Sequence, residues 1–291
     1  MTSRPTRSIR GRHPGRDLLR RAAVFGSAGL TLSLLVGMLL HLLAKGLPGI
    51  SLDFLCSVPS TLKHTYGILP NIINTVYIIV LTLLIAVPIG VGGAVYLSEY
   101  ARNGNIAALI TRTSEALASL PSILYGLFGF TVFSGLMRLS YSLTAGALTL
   151  SLMVFPLILA GAREALKAVP AEYRESAYGL GASKWQMIRT VLLPAAGPGI
   201  LSSVILSIGR IAGESAALLF TAGAGTKLPQ GLVSHLSESG ATLSVQLYQY
   251  AQRGNTETSY AIAAVLVLLV LGLNLLTRSI QKRRQVDRHG G

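Results

Sequence analysis

Six long stretches of apolar residues, each almost free of charge, alternate with short polar segments along the chain. A helix that crosses a membrane needs about 20 predominantly apolar residues, and each stretch is long enough to supply one. The pattern therefore predicts an all-α, polytopic membrane protein with six transmembrane helices. The predicted spans are residues 22–44, 72–98, 116–137, 139–162, 197–221 and 258–277. The second span is the later part of a longer uncharged run, whose start we expect at the membrane interface.

The first apolar stretch has two interpretations. Basic residues precede it, and the pair Arg20-Arg21 hints at a twin-arginine signal. Its uncharged run is nevertheless longer than the core of a typical signal peptide, which has roughly 7–15 residues. The length favours an uncleaved span anchored by its basic flank.

The composition agrees with a membrane protein, since 51% of the 291 residues are hydrophobic and only 12% are charged. Soluble domains usually carry about 25% charged residues. The chain is also strongly basic, with a formal net charge of +14, which in a soluble protein indicates a nucleic-acid partner. Here the basic residues flank the apolar stretches, as they do in membrane proteins. We therefore expect contact with membrane lipid and none with nucleic acid.

The distribution of the 25 basic residues predicts the orientation. Nineteen of them lie in the two termini, the segment between spans two and three, and the segment between spans four and five. Five lie in the segments on the other side, and Arg210 lies inside span five. Basic residues accumulate on the cytoplasmic side of membrane proteins, so both termini and the long segment 163–195 are expected in the cytoplasm.

These spans and charges divide the chain into five parts. The expected parts are a basic cytoplasmic tail at 1–21, a first transmembrane helix at 22–44, an extracytoplasmic loop at 45–67, a transmembrane domain at 68–278 that contains the cytoplasmic loop 163–195, and a cytoplasmic tail at 279–291.

Several kinds of active site are excluded by a direct search. No lysine follows a glycine, so the Gly-Lys of a Walker A phosphate loop is missing. Neither an HExxH zinc helix nor a GxSxG nucleophile turn occurs. Cys56 is the single cysteine, and the spans offer only Arg210, Glu214 and His41 as ionisable groups. We therefore expect neither a cofactor nor a metal, and a membrane-embedded enzyme is disfavoured.

The cytoplasmic loop carries the most specific motif of the chain. Glu175-Ser176-Ala177 is followed after three residues by Gly181, and nine residues later by Val191, one residue and Leu193-Pro194. This spacing resembles the EAA loop of ABC-importer permeases, with Ser in place of the second residue and Val in place of Ile. The resemblance implies the type I ABC-importer fold and a loop that docks on a separate ATPase subunit. Gly181 suits the sharp turn of such a loop, and Pro194 is expected to start the next helix.

A second resemblance narrows the family. The segments 119–129, reading SLPSILYGLFG, and 210–222, reading RIAGESAALLFTA, are similar to phosphate-importer permeases of the PstA type, as is 69–75, reading LPNIINT. The resemblance covers about 68–277. It implies a bacterial inner-membrane protein that works with a second, PstC-like permease, an ATPase dimer and an extracytoplasmic phosphate-binding protein.

Arg210 and Glu214 are the candidate residues of the substrate pathway. Their spacing of four places them on one face of a helix, and charges inside a membrane usually face a bundle interior or a pathway. A guanidinium matches phosphate oxygens, while the carboxylate is expected to compete with the anion so that it can leave. The alternative is a self-neutralised pair that only locks helices together.

Two further alternatives concern the function itself. One is a permease for another oxyanion, such as phosphonate, sulfate or molybdate. The other is an ion-driven secondary transporter, which often shows a repeated half. No duplicated segment is apparent, and such a transporter needs no ATPase-docking loop.

The charge bias generates a testable topology. Reporter tags at either terminus should lie in the cytoplasm, and a tag within 227–256 should lie outside, because the basic residues favour that orientation. Protease digestion of intact spheroplasts measures this. Protection of the 227–256 tag until the cells are lysed would contradict the assignment.

Overall fold

The computed structural model describes residues 14–59, 66–101 and 104–289, and the side chains of 20–59, 66–101 and 104–279. Within these ranges the chain forms helices and no strand, so the predicted all-α class is confirmed. The α-helices are, in chain order, α1 (Pro14–Gly46), α2 (Leu52–Cys56), α3 (Leu69–Val95), α4 (Gly104–Ala118), α5 (Ser122–Gly129), α6 (Leu143–Lys167), α7 (Ala171–Gly179), α8 (Lys184–Gln186), α9 (Leu193–Ala212), α10 (Ala216–Thr221), α11 (Leu243–Gln252) and α12 (Thr256–His289).

Shorter elements join some of these helices. They are π-helical turns at Tyr96–Tyr100, Phe130–Leu136 and Met187–Leu192, and 3₁₀ turns at Leu47–Gly49 and Ser234–Ser237. Parts of the predicted tails and of the 45–67 loop, namely 1–13, 60–65 and 290–291, lie outside the described residues.

The predicted spans correspond to helices of the described chain. The helices long and apolar enough to cross a membrane are Arg20–Gly49, Leu69–Tyr100, Leu143–Lys167, Lys184–Ala212 and Thr256–Ser279. A sixth crossing arises when the bent pair Gly104–Ala118 and Ser122–Leu136 is counted as one span. Counted in this way, the six predicted stretches correspond to six spans, of which the third is a bent pair of helices.

The third predicted span, 116–137, is not one continuous helix. α4 and α5 meet at an angle of 101° across a break before Pro121. Proline disfavours helical backbone in the residue before it and cannot donate a backbone hydrogen bond, so the helix ends there. The Tyr125 hydroxyl donates to the Leu117 carbonyl at 2.7 Å and fixes the corner. No charge marks this break, which is why hydropathy did not reveal it.

The fifth predicted span, 197–221, is wrong at both ends. Its helix begins at Lys184 and stops at Ala212, and α10 starts only after Gly213–Ser215. The first turns were assigned to the loop because Lys184 and Arg189 are charged. Residues 197–221 are therefore two helices separated by a break.

Three long helices, α3, α6 and α9, form the centre of the bundle and pack through small residues. An added Cβ on Gly90 of α3 would lie 2.7 Å from Cγ2 of Ile158 on α6, and Gly161 of α6 lies equally tightly against Ser203 of α9. Small residues let membrane helices approach closely. These contacts fix the position of span five relative to spans two and four.

The first span, by contrast, lies at the edge of the bundle. Residues 20–40 of α1 are exposed in the isolated chain. Near its end, His41 makes an edge-to-face contact with Tyr260 at 5.9 Å, and Gly46 packs against Tyr260 and Ala264 of α12. The transmembrane core is therefore made mainly by residues after 68.

Two neighbouring glycines of α3 provide a test of this packing. Gly90→Ala should destabilise the protein by about 1–3 kcal/mol, because the new methyl overpacks against Ile158. Gly92→Ala is the matched control, since Gly92 has open space around its Cβ position, and it should be neutral or stabilising. Thermal unfolding in detergent measures the difference. A Gly90→Ala variant that melts no lower than Gly92→Ala would contradict the close approach of α3 and α6.

Candidate functional site

The motif-bearing loop between α6 and α9 is two helices joined by a tight turn. α7 is followed by Leu180 and then Gly181, whose φ is +80°. The N–H of Ala182 donates to the Ala177 carbonyl at 3.0 Å and closes the end of α7. Backbone with positive φ strongly favours glycine, so the motif glycine occupies the position that only glycine adopts without strain.

The second half of the loop runs without interruption into span five. Ser183 caps α8: its side chain accepts the Gln186 N–H at 3.3 Å, and Gln186 Oε1 accepts the Ser183 N–H at 2.8 Å. A π-helical turn, Met187–Leu192, then connects α8 to α9. Pro194 lies in the first turn of α9, as expected, and the helical run extends back from there to Lys184. The second half of the loop and span five thus form one continuous helical run.

Arg174 fastens α7 to the ends of two other spans. Its guanidinium donates to Glu99 Oε1 at 3.1 Å, to the Val169 carbonyl at 3.1 Å and to the Leu166 carbonyl at 3.0 Å. Glu99 belongs to the end of span two, and Leu166 to the end of α6. The Glu99 side chain is only 10% exposed, so the ion pair is shielded from water.

Lys184 adds a second attachment at the same place. Its ammonium donates to the Glu99 carbonyl and lies 4.6 Å from the centre of the Tyr100 ring. Sequence reasoning missed both Glu99 and Lys184 as parts of this site. The available signal was the opposite charge of these two residues, since Glu99 lies at the end of span two and Lys184 lies in the cytoplasmic loop.

The motif residues divide into buried and exposed groups. Ala177 is 6% exposed and packs in an apolar cluster with Met187 and Ile188. Val191, Leu193 and Pro194 are partly buried, whereas Glu175, Ser176 and Gly181 are exposed. The loop also exposes large apolar side chains, with Leu180 89% and Trp185 60% accessible. An ordered loop that presents such side chains has the character of an interaction surface.

Arg210 lies in the last turn of α9 and is exposed in the isolated chain. Among the described residues it makes neither an ion pair nor a hydrogen bond. Its donors therefore remain available at the point where span five breaks.

Glu214 lies beyond the end of α9 and does not share a helix face with Arg210, so that expectation is wrong. Gly213 ends α9, and Glu214 turns its carboxylate to the next helix, where Oε1 accepts the Ala217 N–H at 3.1 Å. The Ser244 hydroxyl donates to the Glu214 carbonyl at 2.6 Å. The two charges are near in sequence but are not paired, which also removes the basis for a self-neutralised packing pair.

Two of the three segments that resemble phosphate permeases, 119–129 and 210–222, meet in space. Gly126 of α5 packs against Ala217 and Phe220 of α10, and Gly129 packs against Thr149 and Thr221. Side chains at either glycine would force the helices apart. The broken span three thus directly supports the short helix that follows the break in span five.

No group of three His, Cys, Asp or Glu side chains in the described ranges is arranged to hold a metal ion. Cys56 is exposed and unpaired. The chemistry of the candidate site therefore depends on the exposed loop and on the charges at the break.

Comparison with known proteins identifies the family. The model described as binding-protein-dependent transport system inner membrane component matches residues 86–286. The chain is 36% identical over 264 residues to the "Probable ABC transporter permease protein YqgI" of Bacillus subtilis, covering 86% of this chain and 90% of the relative. It is 36% identical over 244 residues to the "Phosphate transport system permease protein PstA" of Haemophilus influenzae, covering 83% of this chain and 85% of the relative.

The fold has a counterpart among solved structures. A chain of a bacterial ABC transporter involved in the import of the acidic polysaccharide alginate superposes with a TM-score of 0.62 at 17% identity. The superposition covers 92% of this chain and 96% of that one. The chain therefore belongs to the binding-protein-dependent transport system inner membrane components, as an ABC-importer permease of the PstA type.

Proposed function

We propose that the chain is the transmembrane permease subunit of an ATP-driven phosphate importer in the bacterial inner membrane. It forms half of the translocation pathway, and a second, PstC-like permease forms the other half. An ATPase dimer supplies the energy, and an extracytoplasmic phosphate-binding protein delivers the anion. Both termini and the EAA loop face the cytoplasm. Because the chain belongs to the ABC permease family, we do not retain the alternative of an ion-driven secondary transporter.

The observation that carries the phosphate assignment is the unpaired Arg210 at the break in span five. A guanidinium inside a membrane is costly unless it meets a partner, and Arg210 has none among the described residues. Its planar donors match the oxygens of a phosphate anion. Glu214, occupied by the Ala217 N–H, leaves those donors free yet keeps a negative charge near the anion. That charge limits how tightly the anion is held.

A permease for another oxyanion is the second candidate, because sulfate, molybdate and phosphonate present similar oxygens to a guanidinium. The chain is 36% identical to a phosphate permease, which favours phosphate. The binding protein that docks outside would contribute much of the selectivity.

The loop geometry supports coupling to an ATPase. Its exposed Leu180 and Trp185 offer apolar side chains to a partner, and Glu175 offers a charge. Arg174 ties α7 to spans two and four, and α8 continues into span five. A displacement of the loop by the ATPase is thereby transmitted to three spans at once.

The turn glycine tests the coupling proposal. Gly181→Val should lower ATP-dependent uptake by about tenfold, because a β-branched residue in left-handed backbone costs of order 1–3 kcal/mol. Phosphate uptake and ATP hydrolysis are measured together in membrane vesicles that contain the assembled importer. Uptake should fall more than hydrolysis, since the loop links the two.

Gly179→Val is the matched control for this change. Gly179 lies in the same loop with equally open space around it, but its backbone does not require positive φ. This control should retain most of its uptake. Equal losses in both variants would show that any added side chain in the loop disturbs the importer, and the turn would lose its role.

Arg210 tests the pathway proposal. Arg210→Gln should lower phosphate uptake by roughly tenfold or more, because a hydrogen bond to a charged group contributes about 1.5–3 kcal/mol. Arg210→Lys should recover only part of the activity, since lysine keeps the charge but loses the planar fork. Uptake of radiolabelled phosphate is compared at matched abundance of the chain in the membrane.

Two further variants complete the Arg210 experiment. Arg253→Gln removes the same charge from an exposed position elsewhere and should transport normally. The double change Arg210→Gln with Glu214→Gln should stay inactive. Near-normal uptake by this double variant would mean that the anion needs neither charge. Arg210-dependent uptake of labelled sulfate without phosphate uptake would favour the other-oxyanion alternative.

A further inference from the structure

Residues 222–243 run from the end of α10 to the first residue of α11, and backbone hydrogen bonds join the two ends of this segment. The N–H of Gly240 donates to the Ala222 carbonyl at 3.0 Å, and the N–H of Ala241 donates to the Gly225 carbonyl at 2.7 Å. These two hydrogen bonds join the beginning of the segment to its end, so the segment forms a closed loop.

His235 is the side chain that reaches beneath this segment. It is 1% exposed, and its Nδ1 lies 2.9 Å from Glu238 Oε2 while its Nε2 lies 2.7 Å from Asn74 Oδ1. The Asn74 amide is oriented by its other end, where Nδ2 donates to the Ala241 carbonyl at 3.1 Å. An amide oxygen can only accept a hydrogen bond, so the Nε2 atom of His235 donates to Asn74.

The other groups around His235 leave this arrangement undisturbed. Tyr77 of α3 contacts the ring edge-to-face, with ring centres 5.4 Å apart. From α6, Thr144 donates to the neighbouring Leu236 carbonyl at 2.8 Å. Glu238 is thus the acidic side chain that faces the ring, on the side of Nδ1.

The hydrogen bond between His235 and Asn74, here called the clamp, is connected to the break in span five by a series of further contacts. Asn71 joins Asn74 in donating to the Ala241 carbonyl, at 3.0 Å. Three residues later, the Ser244 hydroxyl donates to the Glu214 carbonyl at 2.6 Å. The loop, the start of α3 and the break are therefore connected through buried polar groups, which are costly to leave unpaired.

We infer that His235 is a positioning residue, which holds the 222–243 loop on α3 through Asn74 and thereby fixes the backbone of Glu214 through Ser244. Its importance for transport rests on the proposed role of the break in the anion pathway. A partner that moves the loop also moves Glu214.

Two substitutions separate the contacts of the ring. The amide of Gln reaches the position of the Nε2 atom of His235 and can donate to Asn74, whereas the shorter amide of Asn reaches the position of Nδ1 and cannot. His235→Gln should therefore preserve the clamp on α3, and His235→Asn should release it. Both variants replace the imidazole with a neutral amide, so a difference between them reports which hydrogen bond is kept.

Hydrogen–deuterium exchange of the assembled importer, without phosphate, measures the effect. In His235→Asn, the amides of 213–217 and 222–243 should exchange roughly fivefold to tenfold faster, as expected for one lost buried hydrogen bond. His235→Gln should stay close to wild type. Ser237→Ala removes an exposed hydroxyl from the same segment and serves as the control, with unchanged exchange at 213–217.

Two results would overturn the inference. The first is exchange at wild-type rates at 213–217 in His235→Asn. The second is equal acceleration in the Asn and Gln variants, which would mean that the ring acts through its volume or its charge and not through its hydrogen bond to Asn74. If the Asn variant is not recovered in membranes, Ser244→Ala tests the connection between the loop and the break. It should accelerate exchange at 213–217 while sparing 222–236, and unchanged exchange at 213–217 would refute the path. The outcome is the same for any transported oxyanion, so failure of the phosphate assignment is distinguishable.

Discussion

A helix that breaks inside a membrane must find new partners for the backbone groups that the break sets free, because lipid offers none. Span five breaks at Gly213–Ser215, and its surroundings meet this requirement. The Glu214 carboxylate accepts the N–H of Ala217, and Ser244 donates to the Glu214 carbonyl. α11 is in turn held beside the start of α3, where the Leu243 N–H donates to the Thr75 hydroxyl at 2.9 Å. The segment after α10 is thereby placed where it satisfies the break.

The same break separates the side chains of Arg210 and Glu214, which a continuous helix would have placed on one face. In an unbroken helix, residues 210 and 214 would face one another and neutralise their charges. With α9 ending at Ala212, Glu214 is turned towards α10 and Arg210 keeps its donors unused. The proposed anion pathway uses such a group: a cation with open donors, close in sequence to a carboxylate. Backbone geometry, more than residue type, creates this arrangement.

The sequence predicted the features that depend on local patterns, and missed those that depend on distant contacts. The apolar stretches located the spans, and the glycine spacing located a turn whose φ is indeed positive at Gly181. Hydropathy averages over a window, so it did not reveal the uncharged break before Pro121 or the break after Ala212, which contains Glu214. The contact between His235 and Asn74 joins residues 161 positions apart, and no periodicity reports such a pair. Arg174 was visible as a charge, but its three acceptors belong to elements whose proximity only the fold establishes.

The exposure of Arg210 in a single chain agrees with the proposed role of its side chain in the anion pathway. A guanidinium that faced the interior of this bundle would have found carbonyl or hydroxyl acceptors there, as Arg174 and Arg163 do. Arg210 instead lies on an open face at the level of the break, while the small residues of α5 and α10 pack on the side away from solvent. Under the proposed function, the partner of this charge is the transported anion or the second permease, and the break in span five presents Arg210 to that partner.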